Sequence, residues 1–411
     1  MEKFSEINKC RICDSIDLNL ILDLGISPVS SYFPLANEPD PYSTPLELLI
    51  CNNCELIQLK QSTDVNFLFG NVYGYRTSLN PSMKSHVENL ADWLYTEANL
   101  DSTSTVLDIG SNDGTFLNKL GQRVGLKIGI DPNCNDMLEY YDQDVVTIAD
   151  FFSASKLNSN KFKLVTSIAM FYDIANPIAF AKEVKSILDE DGHWFLEQSY
   201  VIDMLRNFSF DTICHEHLMY YSLTSLNYVM DKAGLKIVGT KSSLANGGSM
   251  GILVTHKEKF DKDFDIFQII TNEKKLLKEL VEVFRSKVPM LREKIYNYVS
   301  ELKLNGADIW CVGASTKGNT ILNYMNLDHK IITGIADKNP LKSGRVTPGS
   351  RIPIYSAEGL VNSNATHAIV LPWHFRDFIE KDEKKFLARG GSLIFPIPTL
   401  EVVRIDSVTK I

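Results

Sequence analysis

The 411-residue chain has no apolar run long enough to cross a bilayer; stretches such as Ala-Ile-Val-Leu-Pro-Trp at 368–373 are far too short. It carries no dense basic stripe either. Lys and Arg number 42 against 51 Asp and Glu, for a net charge of −9 and a pI near 5.5, which argues against a nucleic-acid partner. The opening Met1-Glu-Lys-Phe-Ser-Glu lacks the charged-then-apolar layout of a secretory signal, so a cytoplasmic protein without a membrane contact is expected. No G-x-G-x-x-G dinucleotide fingerprint is present, and no G-K-[ST] phosphate loop. An even cysteine count is also missing: seven cysteines argue against a fully paired disulfide framework. What remains is 44% apolar and 23% charged residues in 46.3 kDa, ordinary globular material for two or three domains.

Four of the seven cysteines fall within the first 54 residues as two knuckles, Cys10-Arg-Ile-Cys13 and Cys51-Asn-Asn-Cys54. Each C-x-x-C points two thiolates at one centre, and two knuckles complete the tetrahedral sulfur shell that zinc prefers. Four thiolates leave no open ligand position, so the expected Zn²⁺ is structural. The insert between them holds Pro28, Pro34, Pro39, Pro41 and Pro45 and reads as an irregular, loop-rich segment whose folding energy comes largely from the metal. A redox role is the rival reading. Cys134 and Cys311 read as small buried residues.

From about residue 87 strand and helix patterns alternate, with strands expected at 105–110, 126–130, 164–170 and 193–197 and a helix at 177–188. Such alternation implies a parallel, doubly wound sheet with its ligand at the carboxyl ends of the strands. The loop after the first strand is Asp108-Ile-Gly110-Ser-Asn112-Asp113-Gly114, with a helix opening behind it at Ser111. Its acids disfavour a pyrophosphate and suit a cationic sulfonium cofactor with an amino-acid tail. Asp131, ending the second strand, stands where a carboxylate grips two ribose hydroxyls. Asp150-Phe151-Phe152 offers a carboxylate for an adenine amine and an aromatic face for its ring. S-adenosylmethionine is favoured over NAD.

The segment Phe210-Asp-Thr-Ile-Cys214-His215-Glu216-His217-Leu-Met-Tyr-Tyr, taken with the paired knuckles and the 108–114 loop, resembles the sugar C-methyltransferases of deoxysugar and surface-polysaccharide pathways. The resemblance continues through Asn246-Gly-Gly-Ser249, Gly313-Ala-Ser315-Thr316-Lys317-Gly-Asn319-Thr320, Asp337-Lys-Asn-Pro340, Thr347-Pro-Gly349 and Leu371-Pro-Trp373, so it spans essentially the whole chain. It implies an α/β architecture in three parts. These are a zinc-binding domain (1–72), a class I methyltransferase domain with a Rossmann-like fold (73–256), and a helical connector with a second Rossmann-like domain for the nucleotide sugar (257–411). It further implies a nucleotide-linked keto-sugar substrate, with His217 as the base that removes the proton beside the carbonyl, Glu216 as its neighbouring acid, and Tyr75 within a segment lidding the methyl donor. His215 and Asn246 fall on its substrate side. Two positions depart from the family pattern. Cys214 stands where a tyrosine belongs, and Asp173 where a histidine belongs, which points to a variant sugar or carbon position.

The remaining third opens with apolar residues at helical spacing through 257–304, read as one or two amphipathic helices. Strands follow at 308–313, 331–336, 367–373 and 392–396. Between the first two, the helix start carrying Ser315, Thr316, Lys317 and Asn319 presents N–H groups and a charge to phosphate, and Asp337 stands where a ribose would meet it. Three other readings remain open at this level: an O- or N-methyltransferase on a related sugar, an epimerase claiming Tyr228-Val-Met-Asp-Lys232, and a non-catalytic binding protein. A monomer and a homodimer both fit.

Overall fold

The computed structural model describes residues 4–68, 75–259 and 264–411. Near the N-terminus, β1 (Leu18–Pro28), β2 (Ser43–Cys51) and β3 (Ile57–Leu59) form an antiparallel sheet. The insert between the knuckles is therefore not irregular, contrary to the sequence reading. Alternation in β2 buries Leu46 and Leu48, and with Ile57 and Leu59 they join a core that continues into the C-terminal third. The prolines misled because several sit at strand ends or in the loop between β1 and β2.

The central sheet comprises β4 (Thr105–Ile109), β5 (Leu126–Ile130), β6 (Val145–Ile148), β7 (Phe162–Ile168) and β8 (Leu188–Ser199), all parallel. The two-residue strand β9 (Met219–Tyr220) leaves this sheet and pairs with β3, giving the N-terminal sheet a fourth strand supplied from elsewhere in the chain. An antiparallel hairpin, β10 (Leu235–Ser243) and β11 (Ser249–His256), completes the central sheet in the order β10-β11-β8-β7-β4-β5-β6. Helix α1 (Pro81–Glu97) starts with proline in its first turn behind Asn80, whose Oδ1 accepts from Ser82 and Met83 N–H; Met83, Val87, Leu90, Ala91 and Leu94 face inward. Helix α2 (Thr115–Leu120) begins only after Gly114, four residues later than its sequence suggested.

After α3 (Pro177–Ile187) and α4 (Val201–Arg206), α5 (Leu223–Ala233) packs against α6 (Ile266–Leu304). Of the one or two helices expected here, the structure has one: α6 runs for 39 residues and contains Pro289. Its Glu273 accepts from Leu223 and Thr224 N–H at 2.8 Å each and from the Tyr200 hydroxyl at 2.6 Å, placing a carboxylate on the start of α5.

The C-terminal sheet contains β12 (Ile309–Val312), β13 (Gly334–Asp337), β14 (Ile354–Ser356), β15 (His367–Val370), β16 (Ser392–Phe395), β17 (Glu401–Arg404) and β18 (Ser407–Lys410), with α7 (Thr316–Tyr324) after β12. Its order is β14-β13-β12-β15-β16-β17-β18, the first five strands parallel. The last two strands are an antiparallel addition that no turn signal had announced. This unit grips the N-terminal one: Arg345 Nη1 donates to the Phe33 carbonyl at 2.8 Å, Asn319 Nδ2 to that of Ser30 at 2.6 Å, and Arg351 pairs with Asp40 at 3.1 Å. No described helix is long and apolar enough to span a membrane.

Candidate active site

All four knuckle sulfurs lie within 4.8 Å of one another, with Cys10–Cys54 and Cys13–Cys51 at 3.5 Å. A tetrahedron of Zn–S bonds of about 2.3 Å places its sulfurs roughly 3.8 Å apart, which lies within the spread of this donor set. Among the described residues no other cluster of metal-ligating side chains occurs.

At the carboxyl end of β4 the chain turns on Gly110 (φ +76°), where a Cβ would also meet Met170 Cγ at 3.1 Å, so both the backbone and the space require glycine. Asp108 is buried and bonded by the Thr166 hydroxyl at 2.6 Å; burial pushes its carboxyl up to about 7, Thr166 opposing and Asp131 adding. Asp131 ends β5, its Oδ2 accepting from Asn112 N–H (3.0 Å) and its Oδ1 from Asn133 N–H (2.8 Å), and burial raises it too. Asp150, beyond β6, is more open. It is ion-paired with Lys156 at 2.5 Å, which holds it below the usual range, and Phe151 beside it is 42% exposed. Three carboxyls at successive strand ends, with Lys156 the cation paired to one of them, suit a sulfonium cofactor better than a diphosphate.

Asn112 and Asp113 face the segment that follows the undescribed residues. Asn112 Oδ1 accepts from Thr77 N–H at 2.9 Å and its Nδ2 donates to the Tyr75 carbonyl; Asp113 Oδ2 accepts from Ser78 N–H at 2.8 Å and Oδ1 from Thr115. These two side chains clamp residues 75–78 across the cofactor loop. Tyr75 is 46% exposed, and loss of solvent around its phenol pushes it up to about 12. Tyr73, in the same predicted segment, and the 72/73 domain boundary lie outside the described residues.

The His-Glu-His segment is pinned on both sides. His215 is fully buried: Nε2–H donates to the Ser27 carbonyl at 3.2 Å and Nδ1 accepts from the Ser30 hydroxyl at 3.3 Å. Both nitrogens are engaged with the zinc-bearing unit, and burial lowers the ring to about 4. Unfolded His215 therefore takes a proton below about pH 6.5 that the folded protein refuses until about pH 4. Stability from this residue is complete above 6.5 and falls as pH drops towards 4. His215→Gln is accordingly expected to be less stable than wild type at pH 7 by about 1–3 kcal/mol for the lost bonds. Paired denaturant melts should show that deficit vanishing or reversing at pH 4, because a protonation penalty of about 3 kcal/mol falls on wild type alone; a constant gap would contradict the assignment.

His217, by contrast, is only half-buried. Its Nδ1–H donates to the Thr212 carbonyl at 2.9 Å and its ring lies 4.3 Å from that of Tyr172. A carbonyl has no proton to give, so the tautomer is fixed and Nε2 carries the lone pair. Burial, with Lys317 adding, lowers the ring to about 3. Lys317 at the start of α7 donates to the Asn246 carbonyl at 3.2 Å and also depresses His374. Asp211, bonded by Trp373 Nε1 at 3.0 Å, faces the same ammonium. Lys317 thus joins the two α/β units beside His217. A cavity of about 660 Å³ opens between His86, Ala245, His374 and Lys381, lined by neither His217 nor Lys317.

The other predicted substrate residues of the C-terminal unit hold the fold. Ser315 Oγ caps α7 through Gly318 N–H, Thr316 begins that helix, Asn319 ties down Ser30, and both Asp337 oxygens accept backbone N–H groups, from Ala314 at 2.6 Å and Asn339 at 2.7 Å. Asp337 thereby repeats the geometry of Asp131. Thr212, Tyr172, His86 and His374 were missed from the sequence. Thr212 acts through a backbone carbonyl, which leaves no side-chain signature. His86 bonds Glu197 at 2.7 Å across 111 residues, a pairing visible only in three dimensions.

Family models match most of the chain in order: a zinc binding domain over 10–69, a methyltransferase domain over 81–240, and a C-methyltransferase C-terminal domain over 244–398. C-methyltransferase NovU of Streptomyces niveus is 29% identical over 414 residues, covering 98% of each chain. Along its whole length the chain is similar to C-methyltransferases with an N-terminal zinc-binding domain. It is an S-adenosylmethionine-dependent methyltransferase carrying a structural zinc site. Among solved structures, a methyltransferase from Clostridium acetobutylicum is 15% identical over 42% of this chain and 92% of that one (TM-score 0.34). Magnesium protoporphyrin IX methyltransferase from Synechocystis is 15% identical over 43% and 88% (TM-score 0.33).

Proposed function

We propose that this methyltransferase alkylates a carbon beside the carbonyl of a nucleotide-linked keto-sugar, with His217 removing the proton from that carbon. The carrying observation is the fixed tautomer of His217, which leaves Nε2 as an open lone pair on the partly accessible side of the segment. Asp108, Gly110, Asp131, Asp150 and Phe151 would hold S-adenosylmethionine, which supplies an electrophilic methyl group when bound.

Each further step belongs to this chain. Nε2 takes the proton, and the electron pair moves onto the carbonyl oxygen as an enolate. A ring held near 3 in the free protein, by burial first and by the Lys317 ammonium second, is a weak base. As negative charge develops on the sugar, Lys317 is offset and the imidazolium gains a counter-charge, so basicity rises along the reaction. The Tyr75 phenol, protonated at neutral pH, serves only as a donor. The cavity beside His374 and Lys381 offers room for the anionic nucleotide.

Incubation with S-adenosylmethionine and a panel of nucleotide 4-keto-sugars in deuterated water, read by high-resolution mass spectrometry, tests this. The expected product gains one methyl and loses the carbon-bound hydrogen beside the ketone. A methylated product that retains that hydrogen would place the methyl on oxygen or nitrogen instead and end the reading.

A further inference from the structure

Three acids that the proton abstraction does not use meet beside His217. Glu216 is 6% exposed and neither carboxyl oxygen has a partner at full hydrogen-bonding geometry; the Ser31 hydroxyl and Cys214 thiol beside it only partly offset the burial that raises it. Asp173 faces it, with Oδ1 sealed from solvent and likewise without a partner, while the residue as a whole is only half-buried. Cys214, fully buried, faces both carboxyls, and Tyr220 and Tyr221 border the group. Among the described residues, no Lys, Arg or His contributes to the electrostatics of either carboxyl. The cluster touches the reacting segment. Tyr172, adjacent to Asp173, packs on the His217 ring, and the Tyr172 carbonyl accepts from Leu218 N–H at 3.0 Å.

Two desolvated carboxylates without a cation cannot both stay ionised: mutual repulsion and lost hydration each favour the neutral form. A neutral carboxyl is a donor as well as an acceptor. We propose that Asp173 and Glu216 hold one proton between them and that the Asp173 carboxyl presents its O–H to the enolate oxygen. Asp173 is then a catalytic residue, and Glu216, sealed behind it, is the positioning residue that keeps it protonated.

This rests on the keto-sugar reading, and the chemistry balances. His217 Nε2 receives the carbon-bound proton and the electron pair moves to oxygen. The Asp173 O–H bonds that oxygen without transferring its proton. When the carbon takes the methyl group the carbonyl re-forms, and His217 releases its proton to water. The donor is in place before charge develops, the arrangement that makes an oxyanion site effective.

Infrared difference spectra of the ligand-free, zinc-loaded full chain at pH 7.5 test the proton sharing without any substrate. Wild type minus Asp173→Asn is expected to show the carbonyl stretch of a protonated carboxyl, displaced in deuterated water; bands from other raised carboxyls such as Asp108 cancel in the subtraction. Absence of that band overturns the proposal. In hydrogen exchange of the keto-sugar, Asp173→Ala is expected to lower the maximal rate by ~10²–10³-fold with little change in KM, and Asp173→Asn, which keeps an N–H donor, to recover most of it. An asparagine variant no faster than alanine overturns the donor role. A wild-type chain that shows the band yet exchanges hydrogen on no keto-sugar removes the enolate itself, and that failure belongs to the substrate reading.

Discussion

His217→Asn is expected to lower methyl transfer by roughly 10²–10⁴-fold, the usual worth of a positioned general base, while S-adenosylmethionine affinity stays within a few-fold of wild type. Asparagine can still donate to the Thr212 carbonyl, so the segment keeps its anchor and the loss reports the missing lone pair. Hydrogen exchange of the keto-sugar in deuterated water should fall in parallel, because both reactions pass through the same abstraction. A variant that lost methyl transfer but kept exchange would put the base elsewhere. The pH profile gives an independent reading. Wild-type kcat/KM, which reports groups of the free enzyme, should show no acid limb near 6.5 from this histidine, since burial and Lys317 keep it neutral down to about 3. An acid limb at 6.5 that vanished in His217→Asn would contradict that environment.

What could be read from the chain followed physical type. Motifs whose chemistry resides in side chains close in sequence were legible. The two knuckles meet as a four-sulfur cluster, and Gly110 and Asp131 stand at the ends of β4 and β5. Among the parallel strands, 126–130 was placed residue for residue and others were overlapped with shifted ends, as at Phe162–Ile168 and Gly334–Asp337, while Val145–Ile148 and Ile354–Ser356 carry too short an apolar run to be read. The N-terminal sheet was not, because proline composition was allowed to outweigh the alternation in β2 and because β9 arrives from residues 219–220. Ser315 and Asp337 carry ligand-like chemistry in sequence, and in the fold their oxygens accept backbone N–H groups, as those of Asp131 do, whereas Asn319 ties down Ser30 and leaves its Oδ1 buried without a partner. A cap and a ligand contact use the same residue types, and only the count of open donors and acceptors separates them. By the same count His217 differs from His215, two residues away, where both nitrogens are engaged.

Removal of the zinc should reach the active site, although no knuckle cysteine approaches the reacting groups. The metal closes Cys10–Cys13 onto Cys51–Cys54, which fixes the end of β2 and the turn into β3. Strand β3 then templates β9, two residues beyond His217, through the pairs Met219–Gln58 and Tyr220–Ile57. His215 is bonded to Ser27 and Ser30 of the same unit. Loss of metal removes a term of about 10 kcal/mol or more in small zinc domains, so the N-terminal sheet is expected to loosen and release the segment that orients His217. Chelated protein, or Cys10→Ser with Cys54→Ser, should therefore lose methyl transfer and melt at a lower temperature by circular dichroism. S-adenosylmethionine binding by calorimetry should change less than catalysis, because one face of the sheet that carries Gly110 and Asp131 keeps a core under α1 and α2, around Val106, Phe116 and Leu117, that includes no residue of the zinc unit, although the other face packs with Cys10, Cys51 and Cys54. That split between catalysis and cofactor binding separates a structural metal from a general collapse. An unchanged melt and undiminished turnover after complete removal, verified by elemental mass spectrometry, would show instead that the hydrophobic core shared by β1, β2 and α6 holds this unit without the ion.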